Sequence, residues 1–404
     1  MELHGGPPRS TFVIPPHALR HEGRALLASV VFLFVGLTIG ACAFWGHVWP
    51  LLGANSVGQV AGAAGAMSAT LSFPLAYWPS ISGENGWLPP HTPVLSRSKR
   101  VFDTIGLALC HGAIILLAIL TAFTLMENAF TGVTLDVLSG SLCVGVASAV
   151  AAYFSYLSGS KVSASSLATL FVVFFVSGAV ASMLAASDSN WYEKNLSALG
   201  ITDGLAGVTF NLTVVLSGVI MIVLSDYLVN DVDTVFRRSV AYRPWRTRVI
   251  RWSFLAIGLC LVVVGTVTVN ESLIVHNIAS NALTVIFAVL LMLNRLLVPG
   301  FPAMFYGVGW LLVASMVFAG FLFYPVQYYN LTSYEMLTGA LVFCWIVVFV
   351  RNSSAALADG DLMTPAAPGE TVLHSVPTVP QPALQPVPQH APQHALEEAH
   401  QPTP

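Results

Sequence analysis

Apolar residues in this chain gather into long runs separated by polar or Gly/Pro-rich breaks. Crossing the hydrocarbon core of a bilayer as a helix takes about 20 mostly apolar residues. Runs of that length occupy roughly 25–46, 54–76, 101–126, 133–157, 164–186, 203–228, 249–269, 276–297, 303–324 and 334–351. The pattern predicts an all-α polytopic transmembrane helical bundle of about ten spans. Polar residues are left to an N-terminal arm (1–24), loops near 77–100, 187–202 and 229–248, and a tail from 352.

Composition narrows the class: 55% of the 404 residues are hydrophobic and only 9% charged, against roughly a quarter charged in a soluble domain. A net charge of -3 decides nothing by itself, because in such a chain the distribution of Lys and Arg between the two faces carries the information. With ten spans and both termini cytoplasmic, all of the 16 basic residues except Lys194 fall on one side. One span more or fewer would reverse every later loop and destroy the asymmetry, so charge tests the span count as well as the orientation. A cleaved leader is the competing reading of the first span, since Arg20 and Arg24 precede it and Ala41-Cys42-Ala43 resembles a processing or lipid-attachment site. The run is long for a signal sequence.

The five cysteines (Cys42, Cys110, Cys143, Cys260, Cys344) lie in apolar runs with no C-x-x-C spacing, which predicts buried free thiols. Gly58, Gly62 and Gly65 suit close helix packing in the second span. From Pro365 the tail is rich in Pro, Gln and His with few large apolar residues. It is predicted to be disordered, either as a ligand for a proline-recognising partner or simply as a solvated segment. His374, His390, His394 and His400 are too irregularly spaced to predict a metal site, and no cofactor or nucleic-acid partner is expected. No period of 20–50 residues stands out, and the first five spans do not echo the last five.

Candidate chemistry collects on the outer side. Glu127, Asp136, Asp188, Glu193, Asp203, Glu271 and Glu335 face Lys194 there, and each is either solvated or held by a partner. The richest stretch is 187–200, followed by Asn211 about two turns into a span, where an amide should face protein or a cavity. Trp191 and Tyr192 suit the membrane interface. Glu271, His276, Asn277, Asn281 and Glu335 enter from the same side. Asn195, Asn270 and Asn330 lie in outer sequons, which matter only in a glycosylating host. On the cytoplasmic side Arg237, Arg238, Arg243, Arg246, Arg248 and Arg251 interleave with Trp245 and Trp252. Such cations anchor a loop and attract anionic lipid headgroups at about 1 kcal/mol each, and Asp226, Asp231 and Asp233 stand close enough in sequence to pair with them.

The run Trp191-Tyr192-Glu193-Lys194-Asn195-Leu196-Ser197-Ala198-Leu199-Gly200, then Phe210-Asn211-Leu212 with Gly218, His276 leading its span and Glu335 opening the last, resembles DUF 998. These are bacterial polytopic membrane proteins related to DRAM-type autophagy modulators and FGF-receptor-activating membrane proteins. The resemblance covers about 165–351 and implies a six-span unit over 161–351, with 25–160 as a four-span extension. It carries no agreed activity.

No P-loop, H-E-x-x-H or G-x-S-x-G motif is present, so enzyme chemistry is not indicated. The leading expectation is a non-enzymatic protein of the bacterial plasma membrane, acting in membrane-lipid or cell-envelope organisation or sensing. Its outward-facing polar pocket would be formed by Glu193, Asn195, Ser197, Asn211, Glu271, His276 and Glu335, with His276 able to titrate near neutral pH and membrane lipids as partners. The alternatives are a secondary transporter or ion-coupled permease, and an intramembrane enzyme on lipid-linked substrates.

Overall fold

A computed structural model describes residues 16–83, 92–202, 204–237 and 243–362. The start of the N-terminal arm, part of the first cytoplasmic loop, Asp203, Arg238 and the Pro-rich tail lie outside the described residues. The chain forms α1 (Pro16–Phe44), α2 (Val57–Ser82), α3 (Arg97–Ala129), α4 (Val137–Ser160), α5 (Ala164–Leu184), α6 (Leu205–Arg237), α7 (Pro244–Thr266), α8 (Leu273–Met292), a single-turn α9 (Asn294–Leu297), α10 (Ala303–Phe323) and α11 (Leu331–Leu362). Short polar side chains start many of them by accepting an otherwise unpaired backbone N–H. Ser56, Ser96, Asp136, Ser163 and Ser272 cap α2, α3, α4, α5 and α8 in this way.

Among the described residues, nine helices are long and apolar enough to cross a membrane. The protein is therefore an all-α, multi-pass membrane bundle. The remaining long helix, α2, has the length but is diluted by Gly, Ala and Ser. Its neighbours settle where it runs. Gly58 lies against Phe123, Gly62 against Leu116, and Trp78 beneath Arg100, so α2 is antiparallel to α3. Ser72 Oγ donates to the Ala152 carbonyl at 2.7 Å and Gly159 abuts Phe73, so it is parallel to α4. Helix α2 thus traverses the same layer as its partners, which makes ten traverses.

The loops sort by end accordingly. Strand β1 (Trp49–Pro50) pairs antiparallel with β2 (Thr134–Leu135), joining the first two outer loops. Sequence pattern assigns 134–135 to the fourth span, and the pairing pulls them out of it. Helices α3 and α6 run antiparallel, with Gly106 against Val219 and the Cys110 thiol near the Leu216 carbonyl. The loops before α6, α8 and α11 consequently share the end that holds the strand pair.

Helices α6 and α11 run past their predicted ends at 228 and 351 to Arg237 and Leu362. An apolar run marks the hydrocarbon, whereas a helix ends where its backbone finds other partners. The predicted span 276–297 breaks at Leu293, so α8 stops at Met292 and α9 follows. The cysteines are unpaired, but only Cys110 is buried; Cys42 and Cys344 lie on the outward surface of the bundle.

One apolar cluster extends from α2 and α3 through α5–α8 to α10 and α11, across the 160/161 boundary. Two packing styles hold it. At α6–α7 a Cβ on Gly218 would lie 2.6 Å from the Gly258 carbonyl, so bare backbones touch. Helix α11 is instead held by large rings: Trp345 stacks on Phe349 at 4.9 Å and meets Phe287 at 5.3 Å. Gly218→Leu should separate α6 from α7 at a cost of about 1–3 kcal/mol, lowering the thermal unfolding midpoint of the detergent-purified protein. Gly307→Leu, where a Cβ meets nothing within 4 Å, should leave that midpoint unchanged.

Candidate functional site

The outer loop between α5 and α6 folds as two 3-10 turns, Trp191–Glu193 and Leu196–Ile201. Asp188 starts it by accepting the Asn190 N–H at 2.9 Å and pairing with Lys194 at 2.9 Å. The Lys194 ammonium and the Asn190 N–H hold the Asp188 carboxyl below the ordinary carboxylate range.

Side chains from three other segments close on this loop. From α11, Glu335 accepts the Leu196 N–H at 2.6 Å. From α6, the Asn211 amide donates to the Gly200 carbonyl at 2.9 Å, and a Cβ at Gly200 would lie 2.3 Å from Asn211 Oδ1. Just before α11, Asn330 donates to the Tyr192 carbonyl at 2.8 Å. From α8, the buried His276 places Nε2 at 3.1 Å from Ser197 Oγ and Nδ1 at 2.8 Å from the Val267 carbonyl. A carbonyl can only accept, so Nδ1 carries the hydrogen. In the neutral ring Nε2 then offers a lone pair to the Ser197 hydroxyl.

Of the seven residues expected at an outer pocket, the structure thus brings Ser197, Asn211, His276 and Glu335 onto one loop. Asn195 lies within that loop, half-buried, with Oδ1 lacking a partner. Glu193 is exposed on the same loop. Glu271 is spent locally, accepting the Thr268 N–H at 2.7 Å to tighten the turn before α8. Asn277 and Asn281 are exposed. The gathered groups bond to one another and to loop backbone, so the arrangement is a clamp. Sequence reading overlooks Asn330 as a member because its sequon supplies a sufficient explanation.

The opposite end of the bundle, where most basic residues lie, is built from charges. Lys99 lies 2.5 Å from Asp103 and 3.2 Å from Asp226, and Arg251 also pairs with Asp226. Beside them Tyr77 and Tyr227 share a 3.1 Å hydrogen bond. This network ties α2, α3, α6 and α7 together. Both carboxylates are buried, and Asp103 Oδ2 has no partner. About two turns further along α3, His111 is buried with its Nδ1 at 2.8 Å from the Leu107 carbonyl and its Nε2 at 2.8 Å from Ser158 Oγ. His111 carries a simple sequence signal, an ionisable side chain well inside an apolar run, whereas Asp103 follows closely on Arg97, Lys99 and Arg100.

The arginines expected at lipid headgroups divide. Arg237 pairs with Asp233 at 2.5 Å and Arg251 with Asp226. Arg238 lies outside the described residues. Arg243, Arg246 and Arg248 have no acidic partner among the described residues. Arg246 lies over the Trp245 ring at 5.9 Å, while Arg248 directs Nε to the Pro244 carbonyl at 3.4 Å. Beside them an open groove of about 480 Å3 is lined by Trp245, Arg248, Val249, Trp252, Ser253, Ala256 and Ile286. No family model, curated protein or solved structure matches the chain.

Removing one side of a buried ion pair strands the other and costs about 3–5 kcal/mol, whereas removing both is often neutral. With Arg251 half exposed, Asp226→Leu should fall at the low end of that range, read as a lower thermal midpoint. Adding Arg251→Leu should restore much of it.

Proposed function

We propose that this chain is a non-enzymatic protein of the bacterial plasma membrane that acts in membrane-lipid or cell-envelope organisation or sensing, through the outer face built on residues 191–201. The observation that carries this reading is the convergence of Asn211, His276, Asn330 and Glu335, from three separate stretches of chain, on that one loop. Loops ordinarily vary and move. A loop gripped this tightly presents Tyr192, Glu193 and Lys194, all exposed, as a fixed surface at the lipid–water boundary. The resemblance of residues 165–351 to DUF 998 supports the same architecture, and the bias of basic residues supports the orientation.

The test is replacement of the chromosomal copy by Asn211→Ala or His276→Ala. Each should reproduce the growth and lipid or glycolipid profile of the deletion while reaching a normal membrane level. Unchanged lipids and growth at normal level would remove the reading. Solute uptake or efflux that collapses with the proton gradient, and is lost on deletion, would replace it with transport.

A second reading rests on the Ser197–His276 geometry, because a hydroxyl bonded to an oriented imidazole is also how a nucleophile and its base are arranged. Under that reading an acyl donor would transfer its acyl group to Ser197 Oγ, and His276 would pass the hydroxyl proton to the departing alcohol. A fluorophosphonate probe should then label the purified protein, and Ser197→Ala should abolish the label. Absence of labelling in the wild type leaves the non-enzymatic reading standing.

A further inference from the structure

At the cytoplasmic end, we propose that the groove between α7 and α8 is a binding site for one anionic phospholipid, with Arg248 holding the headgroup phosphate. This inference stands apart from the outer clamp and survives its failure.

The groove is polar at one end and apolar at the other. Its α7 lining, Trp245, Arg248, Val249, Trp252, Ser253 and Ala256, follows the three- and four-residue spacing of a single helix face. At about 1.5 Å per residue, Ala256 lies roughly 12 Å deeper in the bilayer than Arg248. Ile286, two turns from the cytoplasmic end of α8, completes the deep part. A phospholipid has the same gradient, with its phosphate at the interface and its acyl chains below. Trp245 and Trp252 are 39% and 65% exposed, and indole rings favour the headgroup level. At about 480 Å3, the groove falls in the usual range for a small-molecule site, about 300–1,000 Å3.

Charge selects the ligand class. Of the three acids of α6, Asp226 pairs with Lys99 and Arg251, Asp233 pairs with Arg237, and Asp231 is buried within the bundle. Arg248 is exposed with no acidic partner among the described residues, and after its bond to Pro244 it retains two terminal nitrogens for a bidentate phosphate contact. Arg246, stacked over Trp245 with Nε unpartnered, adds a second positive charge at the same level. A zwitterionic lipid carries its own cation beside the phosphate and gains less from this field.

Native mass spectrometry of the full-length, detergent-purified protein tests the site with phosphatidylglycerol and phosphatidylcholine of identical acyl chains. The wild type should retain phosphatidylglycerol preferentially. Arg248→Ala should weaken that binding about fivefold, the equivalent of about 1 kcal/mol per juxtamembrane cation, and leave phosphatidylcholine unchanged. Arg237→Ala, whose guanidinium is already paired, should have a much smaller effect. Arg248→Lys keeps the charge, should keep the preference, and controls for folding. Equal retention of both lipids by the wild type, or unaltered phosphatidylglycerol binding by Arg248→Ala, would overturn the proposal. So would full displacement of the lipid by millimolar glycerol phosphate, because the site would then hold a free anion.

Discussion

Hydrocarbon offers no hydrogen-bond partner, and this structure follows from that lack. Inside a bilayer every peptide group must be satisfied within the chain, which leaves helices as the means of crossing for a bundle of this kind. The same demand reaches side chains. Ser68, Ser80, Thr121 and Thr124 return their hydroxyls to carbonyls one turn back, while Ser72 and Ser182 reach across to neighbouring helices. Phe34, Phe154, Phe318 and Phe321 are exposed on the bundle surface. In water such rings would be a liability, but against lipid they match their solvent.

Because lipid tails are as apolar as leucine, burying leucine brings helices no closer. Association has to come from close contact and from polar cross-links. Both devices are used here. Glycines let α1 reach α4 and α6 reach α7 at backbone distance, and hydrogen bonds or ion pairs fasten the two ends. The ends are fastened differently. The outer end relies on neutral amides, one imidazole and one carboxylate gripping backbone, consistent with a face nearly free of lysine and arginine. The cytoplasmic end relies on Lys99 and Arg251 around Asp226. The uneven distribution of Lys and Arg between the two ends therefore also selects the bonds that hold each end.

The span count was legible because hydrocarbon thickness fixes the length of an apolar run, and charge then checks its parity. Helix α2 shows the limit of hydropathy: Gly, Ala and Ser on its packed side dilute it, while Met67, Leu71 and Leu75 still form an outward apolar row. The polar outer residues were legible as a group since carboxylates and amides near a span are conspicuous. Their pairings were not. Glu271 and Glu335 look alike in sequence, yet one closes its own turn and the other crosses to Leu196. That difference depends on which helix stands alongside, and no local pattern encodes it. Asp103 was hidden by its sequence neighbours, because Arg97, Lys99 and Arg100 make the start of α3 read as an ordinary basic anchor.

Helix α7 shows how one contact decides the use of the next surface. Thr247, Ile250, Phe254, Ile257 and Gly258 are buried on one side, with Gly258 against Gly218 of α6. At 3.6 residues per turn, Trp245, Arg248, Trp252 and Ala256 must then fall on the opposite side. Arg251 lies at the boundary between the two, near enough to α6 to reach Asp226. The glycine contact that locks α7 to α6 is thus what turns its basic and aromatic stripe away from α6. Arginines three residues apart acquire separate roles for that reason, Arg251 as a strut to Asp226 of α6 and Arg248 as a cation on the exposed face.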